Sequence, residues 1–198
     1  RDILVVNKPA GVTVYPAPGH PCHTLMNAVL AHCPDISSIE SSVRPGVVHR
    51  LDKDTSGAMV VAKNKAAQLN LVAQFRSHRM LKKYLVLVKG CPSPEQGVIE
   101  APIGRHPKDR KRMAVVEGGR DSRTLYKVTR RFKRYSLMEA TLQTGRTHQI
   151  RVHFSHKHWP VVGDGVYGVQ VEWLGRQFVH AWTLGFKLPG NGEYAEFR

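Results

Sequence analysis

The segment His49–Gly57 holds a dense set of reactive side chains. Its nine residues, HRLDKDTSG, place two carboxylates, two cations and two hydroxyls between two apolar runs. A carboxylate held among cations is favoured in its charged form, in which it can act as a nucleophile or a general base. A solvated loop with a helix-capping aspartate has the same composition, and the spacing does not choose between Asp52 and Asp54.

The segment Thr144–His153 offers groups suited to an anion. Arg146 and Arg151 carry planar guanidinium groups that match the geometry of carboxylate and phosphate. A helix that starts near Gly145 would add backbone N–H donors, which also favour an anion. An ordinary basic surface helix would have the same composition.

The segment Lys82–Val88 combines two lysines with an aromatic residue at the start of an apolar run. Tyr84 on a strand can stack on a nucleobase while the lysines contact phosphate. The alternative is a tyrosine that belongs to the protein core.

The charge balance favours a polyanionic partner. Thirty Lys and Arg residues against fifteen Asp and Glu give a formal net charge of +15, and the isoelectric point is about 10.1. Such a field attracts RNA or DNA, and we expect the basic loop His106–Met113 to contact RNA. A generally basic protein without a nucleic-acid partner, with a merely solubilising loop, is the alternative.

The cysteine and histidine patterns predict neither a disulfide framework nor a metal site. The three cysteines form no C-x-x-C pair, which favours a reducing compartment. His148, His153, His156 and His158 follow no recognised zinc spacing, so we expect them to form hydrogen bonds or to face RNA. Gly163–Gly168 satisfies G-x-G-x-x-G, but no strand–turn–helix unit surrounds it, and it predicts a glycine-rich turn.

The elements that must position these groups form an α+β pattern. Strand-like runs outnumber helices and do not alternate with them, which predicts a largely antiparallel or mixed sheet. No apolar run has the length of a membrane-spanning helix. The expected strands are Ile3–Val6, Ala58–Ala62, Tyr84–Val88, Val98–Ile103, Thr124–Thr129, Tyr135–Leu142, Phe178–Leu184 and Tyr194–Phe197. The expected helices are Thr24–Ala31, Asn64–Ser77 and Arg146–His158, and the expected loops are Asp35–Ser42 and His106–Arg112.

Taken together, these segments resemble the RluA-type pseudouridine synthases. The catalytic motif of that family, H-R-L-D-x-x-T-S-G, is matched at every defined position, by His49, Arg50, Leu51, Asp52, Thr55, Ser56 and Gly57. Shorter segments resemble the other family motifs in the expected order, at Asn7–Gly11, Lys83–Leu85, Leu142–His153 and Gly163–Gly168. The resemblance extends from Ile3 to about Phe197.

The resemblance implies roles for the matched residues. Members of the family use the aspartate of H-R-L-D as the essential catalytic group, which selects Asp52 over Asp54. Tyr84 would lie against the target uracil, and Arg146 would pair with Asp52 and keep it ionised. Arg50 would help to displace the target nucleotide or would fill the space that it leaves. Further contacts with RNA or substrate are expected from His49, Thr55, Lys83, Thr147 and Arg151.

The resemblance also implies a fold, a reaction and a substrate. The family fold is a central, bent, mixed sheet flanked by helices and loops, and the reaction converts uridine to pseudouridine in RNA without a metal or cofactor. We expect large-subunit ribosomal RNA as the substrate, with transfer RNA second, and a cytoplasmic monomer without a membrane partner. Residues 1–198 are interpreted as one catalytic domain of a longer chain, because the sequence lacks an initiator methionine. A non-catalytic RNA-binding module and a nucleoside hydrolase are the competing interpretations.

Overall fold

The α+β class predicted from the sequence is confirmed by a computed structural model that describes residues 2–17, 19–39 and 44–198. Residues 40–42 of the predicted loop Asp35–Ser42 lie outside these ranges, and a 3-10 helix occupies its start. In chain order the elements are β1 (Ile3–Lys8), α1 (Leu25–His32), the 3-10 helix (Pro34–Ser38), β2 (Ser56–Ala62), α2 (Lys65–Arg76), β3 (Leu81–Lys89), β4 (Gln96–Glu100), β5 (Ile103–Arg105), β6 (Met113–Val115), β7 (Arg123–Arg131), β8 (Tyr135–Leu142), α3 (Gln149–His156), β9 (Val179–Lys187) and β10 (Tyr194–Phe197). Within the described residues, none of the helices is both long and apolar enough to cross a membrane.

The first two helices begin at side chains that cap their free N–H groups. Thr24 and Asn27 form a reciprocal capping box at the start of α1. The Asn64 side chain accepts a hydrogen bond of 2.8 Å from the N–H of Ala67, as the predicted cap of α2 requires. Both predicted helices are therefore confirmed, with ends that differ by one residue.

Contacts along the chain group it into two compact units. Unit 1 comprises Arg1–Leu81 and Ala181–Arg198, and unit 2 comprises Lys82–His180. In unit 1, β1 lies antiparallel to β2, which neighbours β9, and β10 pairs antiparallel with β9. The register places Lys8 of β1 opposite Gly57 of β2. This pairing brings the start of the Asn7–Gly11 motif beside the end of the His49–Gly57 loop.

The core of unit 1 fixes the strand that follows this loop. Ala58, Val60 and Ala62 occupy alternate positions of β2 and are buried in one cluster with Leu71 of α2 and Phe186 of β9. Residues at alternate positions of a strand share one face, so α2 packs against a single side of β2. This apolar packing holds β2 in place, and β2 in turn holds the end of the His49–Gly57 loop.

Unit 2 contains the strand order β3-β8-β7-β4, and each pair is antiparallel. Tyr84 of β3 lies opposite Ala140 of β8, and a bulge interrupts the pairing of β7 near Val128. A separate two-stranded sheet joins β5 to β6, and the predicted basic loop His106–Arg112 connects these two strands. The sequence did not predict β6.

The helix α3 is shorter than the predicted Arg146–His158. His148 adopts a left-handed backbone with φ of 57°, which a continuous right-handed helix does not accommodate. The helix therefore starts at Gln149, and the residues from Arg146 to His148 form a turn. The prediction was wrong by three residues at the start and by two at the end.

Candidate active site

The loop that carries Asp52 is held by backbone contacts and one buried lysine. The N–H of Thr55 donates to the carbonyl of Asp52 at 3.1 Å, which closes a turn from Asp52 to Thr55. The next carbonyl, that of Lys53, accepts from the N–H of Gly11 at 3.0 Å and from the Lys8 ammonium at 2.9 Å. Asp52 is half-buried within this turn. The Asn7–Gly11 motif and the His49–Gly57 motif are thus joined within unit 1.

Lys8 explains why the segment Asn7–Gly11 contains a lysine. Its side chain is fully buried and also donates to the carbonyls of Pro9 at 2.7 Å and Val12 at 2.8 Å. An ammonium has three N–H groups, and these three carbonyls match them. The sequence pattern indicated the motif but assigned no role to Lys8.

Gly57 is required at the end of the loop. Its φ of +117° is unfavourable for other residues, and an added Cβ would overlap the backbone of Ala181. The requirement for glycine at the last position of the H-R-L-D-x-x-T-S-G motif is therefore steric.

Two of the residues predicted to contact RNA lie largely inside unit 1. The Nε2 of His49 accepts a hydrogen bond of 3.0 Å from the N–H of Val60, and its ring stacks on Phe75 at 4.6 Å between centroids. Thr55 is buried. These contacts make His49 a support for β2 and α2, and an RNA contact by either residue stays a prediction.

Arg50 belongs to an exposed cation–aromatic cluster. One of its terminal nitrogens donates to the Tyr15 hydroxyl at 2.7 Å. The guanidinium of Arg44 lies over the same ring, 3.6 Å from its centroid. Tyr15 has no signal in the sequence, because its partners are distant along the chain. The cluster places two cations at the surface of unit 1, where a phosphate can reach them.

In unit 2, the alternation of β3 separates its two lysines. Lys82 and Tyr84 are buried on one face, whereas Lys83 points to the other and forms a half-exposed ion pair of 3.1 Å with Glu139. The sequence favoured Lys83 for RNA contact, but Lys82 is the lysine that shares the face of Tyr84.

Lys82 is a buried cation beside a second cation. Its ammonium donates to the carbonyl of Thr144 at 3.4 Å, near the upper limit for a hydrogen bond. Burial, together with the charge of Arg146, lowers the pKa of Lys82 to about 8. Strong perturbation of this kind is common in functional sites.

Arg146 lies in the turn before α3. Its backbone N–H donates to the side chain of Gln149 at 2.9 Å, and its Nε donates to the carbonyl of Asp121 at 3.0 Å. Burial and the charge of Arg120 lower the pKa of Arg146, while Asp121 opposes this shift, and a guanidinium remains protonated in proteins. Arg146 is therefore a positioned, permanent cation.

Gln149 fixes the turn that holds Arg146 and Thr147. Its side-chain oxygen also accepts from the hydroxyl of Thr144 at 2.8 Å, and its nitrogen donates to the hydroxyl of Thr124 at 3.0 Å. Thr147 is exposed at this turn and accessible to a ligand. Its contact with RNA stays a prediction.

Arg151 lies in the interior of unit 2. Its guanidinium donates to both oxygens of Asp164 at 2.7 and 2.9 Å, and it lies 4.9 Å from the centroid of the Tyr167 ring. Both charged residues are buried, so the pair joins α3 to the glycine-rich turn. The RNA contact predicted for Arg151 stays untested, and the geometry gives this residue a structural role.

The histidines of this region form internal hydrogen bonds where they are buried. His153 contacts the hydroxyl of Thr124 at 2.9 Å and the carbonyl of Ala101 at 3.0 Å, and burial lowers its pKa. The carbonyl requires a proton on Nε2, so Nδ1 accepts from Thr124 in the neutral ring. Among the described residues, no group of three or more His, Cys, Asp or Glu is placed to hold a metal ion.

The chain is similar to known proteins over most of its length. A family model described as RNA pseudouridylate synthase matches residues 2–156. A protein of Chloroflexus aurantiacus named uncharacterized RNA pseudouridine synthase is 54% identical over 193 residues, which cover 96% of this chain and 60% of the relative. Ribosomal large subunit pseudouridine synthase D of Xanthomonas campestris is 44% identical, and the match covers 96% of this chain and 61% of the length of that relative.

The fold is also found in a solved structure. Human RNA pseudouridylate synthase domain containing 1 superposes with a TM-score of 0.80 at 31% identity and covers 100% of this chain and 79% of that one. The chain spans roughly three fifths of the length of the two curated relatives above. These matches confirm the resemblance read from the motifs, and the chain belongs to the RNA pseudouridylate synthase family.

Proposed function

We propose that the protein isomerises uridine to pseudouridine in RNA and that Asp52 is its essential carboxylate. Family membership over residues 2–156 is the observation that carries the reaction. The complete match to H-R-L-D-x-x-T-S-G supports the choice of Asp52. The contacts of Lys8 and Gly11 with the adjacent carbonyl of Lys53 support it further, because a catalytic group must be held in place.

The reaction retains every heavy atom of the uridine. The N1–C1′ bond breaks, the uracil turns, and C5 joins C1′. The hydrogen on C5 leaves to water as a proton, and N1 takes up one proton, so the product is an isomer of uridine. The target base must first leave its stack, which costs a few kcal/mol, and phosphate contacts with a basic protein offset this cost. Attack on C1′, addition to the uracil ring and removal of the C2′ proton are all compatible with an ionised Asp52.

We further propose that Tyr84 and Arg146 take part in the reaction. The buried ring of Tyr84 suits one face of a uracil, because stacking retains a detached base without fixing its rotation. Arg146 supplies a permanent positive charge from a turn that Gln149 holds. Both assignments come from the family resemblance, and each needs its own substitution test.

Large-subunit ribosomal RNA is the substrate that we propose, with transfer RNA second. Relatives from Xanthomonas campestris and Neisseria meningitidis, at 44% and 46% identity, carry the name ribosomal large subunit pseudouridine synthase D. A ribosomal-RNA substrate also leads us to propose a cytoplasmic location. Pseudouridine mapping in cellular RNA, with and without the protein, tests the substrate.

The Asp52→Asn variant tests the catalytic assignment. It removes the ionisable group and keeps the shape, so tritium release from RNA that contains 5-tritiated uridine should fall by roughly 10³-fold or more. Binding of the same RNA should stay within about twofold, because phosphate contacts dominate affinity. Asp54→Asn is the matched control, since Asp54 occupies a variable motif position, and it should retain most of the turnover.

Each alternative has its own signature in this assay. Substantial tritium release by Asp52→Asn would remove Asp52 from its role. Abasic sites in the RNA would indicate a nucleoside hydrolase, and RNA binding by the unaltered protein without tritium release would indicate a non-catalytic module.

A further inference from the structure

The end of β7 and its connection to β8 concentrate positive charge. Residues 130–134 read RRFKR, which gives four cations and one aromatic residue in five positions. All five residues are exposed. We call the segment Arg130–Arg134 the basic hairpin turn. Nothing in the proposed catalytic roles uses it.

The basic hairpin turn is held in shape at both ends. Arg131 donates to the carboxylate of Glu95 and to the carbonyl of Pro92, each at 2.9 Å. The N–H of Phe132 donates to the carbonyl of Tyr135 at 2.8 Å. A surface ordered in advance loses little conformational entropy when a partner binds.

Most of its charge is not neutralised. Arg131 forms an ion pair with Glu95, whereas Arg130 lies over the Phe132 ring at 5.2 Å from the centroid. Within the described part of the chain, no carboxylate lies in salt-bridge distance of Lys133 or Arg134. The turn therefore presents a net positive surface that attracts a polyanion.

Exposed aromatic rings accompany these cations. Phe132 is 42% exposed and Trp173 is 59% exposed. Trp173 packs edge-on against Tyr135, the first residue of β8, with 6.2 Å between ring centroids. Cations beside exposed rings suit RNA, because phosphates meet the charges and unpaired bases stack on the rings.

The basic hairpin turn lies at the far end of the strands from Tyr84. On β3, Tyr84 lies opposite Ala140 and Lys89 lies opposite Tyr135. The five-residue separation spans about 17 Å, since an antiparallel strand rises roughly 3.4 Å per residue. A stacked nucleic-acid strand covers the same distance in about five nucleotides.

We propose that the basic hairpin turn is a second RNA-binding surface that holds the phosphate backbone about five or more nucleotides from a uridine at Tyr84. Phe132 and Trp173 stack on unpaired bases next to that backbone. This inference rests on the proposed function and makes it more specific. The protein then distinguishes an extended, structured RNA from a short stem-loop with the same target uridine.

The test compares a short stem-loop with an extended RNA that contains the same target uridine. The Lys133→Gln/Arg134→Gln variant should lower kcat/KM on the extended RNA about tenfold and leave the short RNA within about twofold, because only the extended RNA reaches the turn. The slope of log Kd against log salt for the extended RNA should fall by roughly 1.5, since two phosphate contacts are lost. Arg76→Gln/Lys187→Gln, which changes two exposed cations of unit 1, is the matched control and should preserve the preference for the extended RNA.

Phe132→Ala separates stacking from charge. It should weaken binding of the extended RNA without a change in the salt slope, since stacking releases no counterions. Equal losses on both RNAs, or no loss on either, would overturn the inference. Absence of tritium release from both RNAs with the unaltered protein contradicts the proposed function instead, and the binding measurements then still decide the role of the turn.

Discussion

At the scale of single residues, two buried lysines have different surroundings. Lys8 donates to three carbonyls at 2.7 to 2.9 Å, which matches its three N–H groups. Lys82 has one long hydrogen bond within the described chain and a cationic neighbour in Arg146. A buried charge without good partners destabilises the folded state. Lys8 thus stabilises the contact between the Asn7–Gly11 segment and the His49–Gly57 loop, whereas the buried charge of Lys82 destabilises the folded state.

Replacement of Lys82 by methionine should stabilise the protein in a pH-dependent way. The pKa is about 8 in the folded state and 10.5 ordinarily, so the unfolded chain binds this proton more tightly. Lys82→Met should therefore raise the free energy of unfolding by about 3 kcal/mol at pH 7, and the gain should shrink between pH 8 and pH 10.5. Urea unfolding at pH 7 and pH 10 measures both values.

Lys83→Met is the control for this substitution. Its partly exposed ion pair with Glu139 contributes little, so a change below about 1 kcal/mol is expected. If Lys82→Met raises the free energy of unfolding equally at both pH values, better packing, and not removal of the buried charge, is responsible for the gain in stability.

Single-residue roles differ in how far the sequence reveals them. The motif selects Asp52 because nine adjacent residues carry the pattern. The support that His49 gives to Val60 and Phe75 depends on contacts between residues distant along the chain. A local pattern contains no information on such partners, so the motif alone does not reveal that His49 supports β2 and α2.

At the scale of elements, a buried ion pair joins α3 to the glycine-rich turn. The carboxylate of Asp164 accepts from Arg151 and from the N–H groups of Val166 and Tyr167. Burial raises the pKa of Asp164, but the hydrogen bonds and charge of Arg151 and the two N–H groups outweigh it, so the pKa lies below its ordinary value. Gly163 has a φ of +76°, and an added Cβ would overlap the carbonyl of Arg176. The G-x-G-x-x-G segment is therefore a turn built around Asp164.

Asp164→Asn should destabilise the protein strongly. It leaves the buried guanidinium of Arg151 without a counter-charge, which costs about 3–5 kcal/mol. The contribution of an acid with a lowered pKa is present above its ordinary value of 3.8 and is lost as the pH falls through the folded-state pKa. The difference in the free energy of unfolding between the unaltered protein and Asp164→Asn should therefore be at its maximum at pH 7 and smaller at pH 3. Urea unfolding at the two pH values measures it.

The matched control for Asp164 is the exposed Glu117, and Glu117→Gln should change stability by less than about 0.5 kcal/mol. In the double variant Arg151→Met/Asp164→Asn the cost should be smaller than the sum of the two single costs, because the unpaired charge is removed. Strict additivity would show that the two residues act independently.

The ends of helices and strands can be predicted from the sequence only where the signals are local. Apolar periodicity and the Asn64 cap predicted α2 to within one residue. For α3 the polar side chain of Gln149 binds the N–H of Arg146 and holds a turn where the sequence suggested helix. The strand β6 has three residues, too few for a periodic signal, and it forms because β5 pairs with it.

At the scale of the whole molecule, the order of the motifs constrains the fold along most of the chain. The motifs run from Asn7 to Gly168, and the resemblance extends from Ile3 to about Phe197. The grouping of contacts into two units has no signature in these motifs, because the proposed residues fall in both. Asp52 belongs to unit 1, whereas Tyr84 and Arg146 belong to unit 2.

The net charge of +15 predicts RNA binding that depends strongly on salt. A protein that neutralises six to ten phosphates loses roughly 10³–10⁵-fold in affinity between 50 and 200 mM salt, because released counterions drive the binding. Filter binding of a substrate RNA across this range should show such a loss. Asp52→Asn should give the same slope, because the substitution removes no cation. A flat dependence would show that contacts with bases dominate, and the charge would then cease to be an argument for RNA as the partner.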